Sequence, residues 1–248
     1  MKRYGRIRIS ALVIWVLSQL MIPSSLQAQT FSYLTYDITN GLPGNYLNAI
    51  GQDNEGFLWL GLETGLYRYD GFEFSKVDLP DTLTTGYPAT LFCDAGGRMW
   101  IGYTDGSLFK WEKGSGLLRQ ADVVADKINK IIPSPDGSAW IITQTSGVYV
   151  SGKEENGKLK KLGTPEGLVV FDIAFISNDS VLIATQDNLH ICRIQEDQLV
   201  TMGSFTALDY TWIQSVIALP GRRWVAGTDG AGIYMITKPN GYFDATLI

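Results

Sequence analysis

Gln52-Asp-Asn-Glu-Gly-Phe-Leu-Trp-Leu-Gly61 decides the fold of this chain, because the phrase returns. It reappears as Asp94-Ala-Gly-Gly-Arg-Met-Trp-Ile-Gly102, as Ser134-Pro-Asp-Gly-Ser-Ala-Trp-Ile-Ile142 and as Leu219-Pro-Gly-Arg-Arg-Trp-Val-Ala-Gly227. A weaker copy, Asn178-Asp-Ser-Val-Leu-Ile-Ala184, puts Leu182 where the others have tryptophan. Trp59, Trp100, Trp140, Leu182 and Trp224 therefore stand 41, 40, 42 and 42 residues apart. A glycine lies three residues before each tryptophan (Gly56, Gly97, Gly137, Gly221), and another follows six or seven residues later (Gly65, Gly106, Gly147, Gly230). Turn signals every 8 to 12 residues inside a period near 40 are the pattern of a β-propeller, one four-stranded sheet per repeat.

Each unit reads as four short strands. In the first, Leu47–Asp53 is the inner strand, then Phe57–Leu62, Leu66–Tyr69 and an outer strand Phe72–Val77. Five units of about 41 residues follow in order, near 46–78, 87–120, 127–162, 169–203 and 211–248. The glycines supply the positive φ of tight hairpins. The tryptophans are expected at equivalent places, filling the gap between facing sheets. Small residues two places on (Gly61, Gly102, Ala184, Ala226) leave room for a neighbour. Long connections are expected from outer to inner strands, over 78–88, 113–127, 151–168 and 195–210, all on one face where ligands bind. A short strand Phe31–Ile38 precedes the first unit. Five units, the last with its own outer strand Gly241–Ile248, suggest an incomplete seven-bladed ring with exposed sheet edges at both ends.

The 248 residues are 45% hydrophobic with 27 glycines, which suits one domain of many short strands. Lys2, Arg3, Arg6 and Arg8 precede an apolar stretch, Ile9–Ile22, and then Pro23–Ala28. That order reads as a signal peptide over residues 1–28, too short to span a bilayer, so the protein is expected in the periplasm or another extracytoplasmic space. Without the leader, 16 Lys+Arg face 25 Asp+Glu, a net charge of −9. An acidic exported chain with no basic cluster excludes nucleic acid as a partner. Cys93 and Cys192 fall on the first strand of the second unit and the third strand of the fourth, too far apart for the approach of about 5.5 Å that a disulfide needs. Both are expected to be free thiols.

No catalytic group stands out, and no cofactor or metal is implied. Asp53, Asp94, Asp105, Asp136, Asp187 and Asp229 recur beside turns, where aspartate bonds to nearby backbone. Asp53–Gly56 is too short for a calcium loop. The single histidine, His190, lies in an apolar strand and reads as packed. Aromatic residues at the strand entrances are the more suggestive set: Tyr46 and Tyr87 stand 13 residues before their tryptophans, and Tyr210 and Trp212 lie near the same place in the fifth unit. Rings around a polar cleft grip sugars, and they also simply pack strand ends. They are the candidate ligand-binding residues.

Several phrases resemble the two-component regulator propeller repeat of Bacteroidetes hybrid histidine-kinase sensors. The residues are Asn40-Gly-Leu-Pro-Gly-Asn45, Gln52–Gly61, Thr64-Gly-Leu-Tyr-Arg-Tyr-Asp-Gly71, Met99-Trp-Ile-Gly102 and Trp224–Gly230. In that family, propellers precede a small β-sandwich, a transmembrane helix and a cytoplasmic kinase. The resemblance implies a sensory input module that recognises a small molecule or a glycan and works with downstream propeller and kinase parts. This stretch carries no kinase or hydrolase motif, so it is not read as an enzyme, although a full-length parent of this type is a protein-histidine kinase. Dimerisation is open to it. An exported scaffold and a carbohydrate-active enzyme are the alternatives.

Overall fold

The computed structural model describes residues 34–79, 85–120, 126–152, 159–165 and 167–248. The chain divides into two compact units, Met1–Thr35 and Tyr36–Ile248. The expected leader over residues 1–28 lies outside the described residues. Of the expected strand Phe31–Ile38, residues 34–37 are coil and Ile38 opens a 3-10 turn, Ile38–Asn40. Asp37 caps that turn by accepting from the Thr39 amide, and Gly41 closes it at φ 101°. A strand cannot form where the chain must coil to meet this cap.

The second unit is all-β. Its five sheets are β1 Leu47–Gln52, β2 Leu58–Leu62, β3 Gly65–Tyr69 and β4 Phe74–Lys76; β5 Pro88–Cys93, β6 Met99–Tyr103, β7 Leu108–Glu112 and β8 Gly116–Arg119; β9 Ile128–Pro133, β10 Ala139–Thr143, β11 Val148–Val150 and β12 Lys160–Leu162; β13 Val170–Ser177, β14 Ser180–Thr185, β15 Leu189–Gln195 and β16 Gln198–Ser204; β17 Ile213–Leu219, β18 Arg223–Thr228, β19 Ile233–Thr237 and β20 Asp244–Leu247. Each is an antiparallel meander in sequence order. This is the four-stranded repeat that the tryptophan spacing predicts. Three of the four connections are shorter than expected. Outer strands β8, β12 and β16 occupy part of the ground assigned to loops over 113–127, 151–168 and 195–210, where their backbones pair with the third strands of their own sheets.

Successive sheets stack face to face. The forward face of the first sheet puts Trp59 and Leu66 against Met99, Ile101 and Phe109 of the second. Trp100 and Leu108 then meet Ile128, Ile131 and Ile141, and Trp140 and Ile142 meet Ile173, Val181 and Ile183. Leu182 and Ala184 meet Val216, Trp224 and Ala226. The small residues matter here: a Cβ on Gly61 would come within 2.8 Å of Pro88, and one on Gly102 within 2.6 Å of Ile128.

Trp224 departs from the expected equivalence. Trp59, Trp100 and Trp140 point toward the following sheet, whereas Trp224 points back onto the fourth, its indole N–H donating to Phe175 O at 3.2 Å. The turn is the reason. In the first two sheets an aspartate ends the inner strand and five residues separate the paired Gln52 and Leu58, or Cys93 and Met99. In the fifth, Leu219 pairs directly with Arg223 around a three-residue turn, with Arg222 at φ 57°. The shorter turn moves the strand by one residue and so exchanges its faces. Thr228, four residues after Trp224, pairs with the strand entrance, whereas Leu62, Tyr103 and Thr143 do so three residues after theirs.

Candidate functional site at the mouth of the sheets

The inner strands β1, β5, β9, β13 and β17 all begin at one end of the stack, which also carries the turns joining second to third strands. At this end, the mouth, the residue preceding each inner strand is Tyr46, Tyr87, Lys127, Val169 or Trp212. Tyr46, Tyr87 and Trp212 thus hold one position of the repeat. Tyr210 does not; it projects from the loop two residues earlier, after the 3-10 turn Thr206–Leu208. Sequence spacing alone merged the two because Tyr210 and Trp212 lie so close together.

The mouth is built rigidly. In the second sheet, the amide of Thr104 donates to Tyr87 O (3.0 Å), and Asp105 accepts from the amides of Thr85 (2.9 Å) and Gly86 (3.3 Å). In the third, Gln144 N donates to Lys127 O (2.9 Å) while Asp126 accepts from Thr145 N (2.8 Å) and Ser146 N (2.6 Å). Gln186 does the same work in the fourth, accepting from Val169 N (2.9 Å) and donating to Gly167 O (3.0 Å). In the fifth, Asp229 N donates to Trp212 O (2.9 Å). Every one of these bonds ties an incoming loop to a turn of its own sheet. Burial pushes the carboxyls of Asp105 and Asp126 up, but the backbone donors outweigh it and hold both below the usual carboxylate range.

Against this frame the aromatic side chains are uncommitted. Tyr46, Tyr87, Tyr210 and Trp212 are all exposed. Tyr210 is 94% exposed and sits at φ 60°, a left-handed conformation that costs a residue with a Cβ roughly 1 kcal/mol. It helps form a recess of about 480 Å³ lined by Thr211, Trp212, Asp229, Gly230 and Ala231. Trp212 also stands 6.1 Å, ring to ring, from Phe171 of the preceding sheet.

A larger recess, about 640 Å³, lies at the opposite end between the first and second sheets. Its charged groups are paired, although Arg68 Nε beside it is buried without a partner among the described residues. Glu55 pairs with Arg68 and Lys113, and Arg98 bonds Asp94 at 2.6 Å. Arg68 also lies 3.7 Å above the Phe57 ring. Asp53 and Asp94 here serve structure: each accepts turn amides on one oxygen and a tryptophan N–H on the other, Trp59 and Trp100 at 2.9 Å. His190 Nε2 lies 3.2 Å from Asp187 Oδ1. No group of acidic, histidine or cysteine side chains among the described residues is arranged to hold a metal ion.

Comparison with known proteins gives the class. Residues 41–64, spanning the entrance loop and first hairpin, match the family "Two component regulator propeller". No curated protein matches the sequence. Among solved structures, the extracellular domain of the putative hybrid two-component system BT3049 from B. thetaiotaomicron superposes with a TM-score of 0.67 at 16% identity, over 87% of this chain and 32% of that one. PorZ, described as an essential bacterial surface component of the type-IX secretion system of Porphyromonas gingivalis, gives 0.63 at 12% identity, over 79% and 33%. The Dos1 propeller gives 0.61 at 15% identity, over 81% and 61%. At such identities the shared property is the propeller fold. The chain spans about one third of the length of the first two.

Proposed function

We propose that this chain is an extracytoplasmic sensory propeller, exported by the leader at residues 1–28, that supplies ligand recognition to a two-component system. The ligand is a small molecule or an oligosaccharide, and it docks at the mouth on Tyr46, Tyr87, Tyr210 and Trp212. The observation that carries this reading is the contrast at the mouth: the loops leading into Tyr87 and Trp212 are bonded to turns of their own sheets, yet Tyr46, Tyr87, Tyr210 and Trp212 keep their rings exposed. A rigid frame with uncommitted aromatic faces loses little entropy on binding. The regulator-propeller match over residues 41–64 and the likeness to an extracellular two-component domain support the two-component part of this reading. Signalling then needs only that the ligand favour one arrangement of the propeller with its neighbours over another; no catalytic group is required.

Calorimetry with glycan fragments tests it, using Ala at each of the four positions. Loss of binding in at least one variant is expected; binding indifferent to all four removes the mouth as the site, and turnover of a glycan makes the protein an enzyme. The comparable likeness to PorZ supports a second reading, an exported scaffold. A scaffold would bind a protein partner and no small ligand.

A further inference from the structure

Every inner strand carries a β-bulge at the same place. Pairing runs Leu47↔Leu62 then Ala49↔Gly61, Pro88↔Tyr103 then Thr90↔Gly102, and Ile128↔Thr143 then Lys130↔Ile142. It continues as Val170↔Thr185 then Asp172↔Ala184, and Ile213↔Thr228 then Ser215↔Gly227. One residue per sheet is thus left without a partner, two places in from the mouth: Asn48, Ala89, Asn129, Phe171 and Gln214. A bulge re-aims the side chain it displaces and is over-represented at sheet edges, at barrel rims and beside active sites. Five repeats of it in five sheets make it part of the mouth's design.

Phe171 shows where such a side chain lies: its ring sits 6.1 Å from Trp212, the mouth residue of the next sheet. By the repeat, Asn48 corresponds to Phe171 as Tyr87 corresponds to Trp212, which sets an amide next to an aromatic ring. Three of the five bulge residues carry an amide, and none of those amides bonds any described residue. The row below the bulges is Ala49, Thr90, Lys130, Asp172 and Ser215. Its two charges cancel, for Lys130 Nζ lies 2.6 Å from Asp172, which also accepts from Val216 N at 2.9 Å. Lys127 and Asp229 at the mouth are both exposed, so solvent screens their charges.

We propose that the bulge residues Asn48, Asn129 and Gln214 read an uncharged, hydroxyl-rich ligand held against the rings of the mouth. An amide offers both donors and an acceptor, the complement of a sugar hydroxyl, and no unpaired charge in the row below favours an ionised group. This rests on the mouth being the binding face and adds residues and a ligand class to it.

The test is calorimetry of the full chain with neutral malto-, manno- and xylo-oligosaccharides and with oligogalacturonates. The triple variant Asn48→Ala/Asn129→Ala/Gln214→Ala should lower neutral-glycan affinity about tenfold or more, as should Trp212→Ala. The wild-type affinity should change less than about twofold with added salt. Near-ultraviolet circular dichroism checks that the triple variant is folded; should it not be, Gln214→Ala alone, at an exposed position, should weaken binding about threefold or more. Neutral binding retained in the amide variants but lost with Trp212→Ala overturns the bulge assignment and leaves the mouth standing. Binding unaffected by either overturns both. Preference for oligogalacturonate, or no binding of any neutral oligomer, overturns the ligand class.

Discussion

Asp94 does three tasks with one carboxylate. Oδ1 accepts the turn amides of Gly96 (2.9 Å) and Arg98 (3.1 Å), and Oδ2 accepts from the Trp100 indole (2.9 Å) and the Arg98 guanidinium (2.6 Å). Burial pushes this carboxyl up, but those donors hold it below its ordinary 3.8, and the same balance applies to Asp53. A depressed carboxylate contributes stability above its unfolded value and loses it as pH falls through the folded one. Stability should therefore be flat above about pH 5 and drop on acidification below about pH 4. Asp94→Asn should blunt that drop and cost about 2 kcal/mol at neutral pH, measured by urea denaturation. Gly102→Ala should cost about 1–3 kcal/mol, because its methyl meets Ile128 and Thr90, whereas Gly203→Ala, with open space around it, should stay within about 0.5 kcal/mol. At this scale the aspartate–glycine–tryptophan phrase is legible in sequence because its spacing is its mechanism. The face of Trp224 is not. It depends on whether the turn before it holds three residues or five, and Pro220-Gly-Arg-Arg keeps the same glycine-to-tryptophan distance as the longer turns.

Each sheet repeats one plan, and the plan's chemistry is divided between its ends. The far end is occupied by internal ion pairs and turn caps; the mouth keeps its rings exposed and the side-chain amides of Asn48, Asn129 and Gln214 unbonded to any described residue. Tyr46 and Tyr87 could be placed at the mouth from sequence because they keep a fixed distance to tryptophan. The bulges could not, since an extra residue inside the strand leaves the period of the repeat unchanged and appears only in the pairing. The outer strands were likewise hard to read, being three to seven residues long and partly exposed. The cysteines follow from strand position. Cys192 is buried inside the stack of third and fourth sheets, and Cys93 is partly covered at the end of β5. Burial pushes both thiols up, away from the reactive thiolate. Native alkylation followed by mass spectrometry should label Cys93 faster than Cys192 and reveal no bridge between them.

Across the stack, each of the first four sheets presents its forward face to the rear face of the next. The rear of the first sheet is covered in its outer part by the entrance segment, where Leu42 packs with Leu60, Leu62 and Tyr67, and the Tyr36 ring meets Tyr69 at 5.4 Å. Its inner part is bare, with Ile50 58% exposed. The forward face of the fifth sheet is bare too, and Ile217 there is 57% exposed. Two apolar faces of complementary kind favour head-to-tail association. Sedimentation should show concentration-dependent self-association of the isolated chain, reduced by Ile50→Lys and Ile217→Lys together.

In the function proposed for this propeller, ligand is received at the mouth and not at the opposite end of the sheets. Hydrogen exchange in the presence and absence of a saturating neutral oligosaccharide pool tests it directly. Protection gained over Tyr46–Ala49, Tyr87–Thr90 and Tyr210–Ser215, with the turns Asn54–Gly56 and Gly96–Arg98 unchanged, is the predicted result. Protection confined to those opposite turns, around Glu55, Arg98 and Lys113, would contradict it.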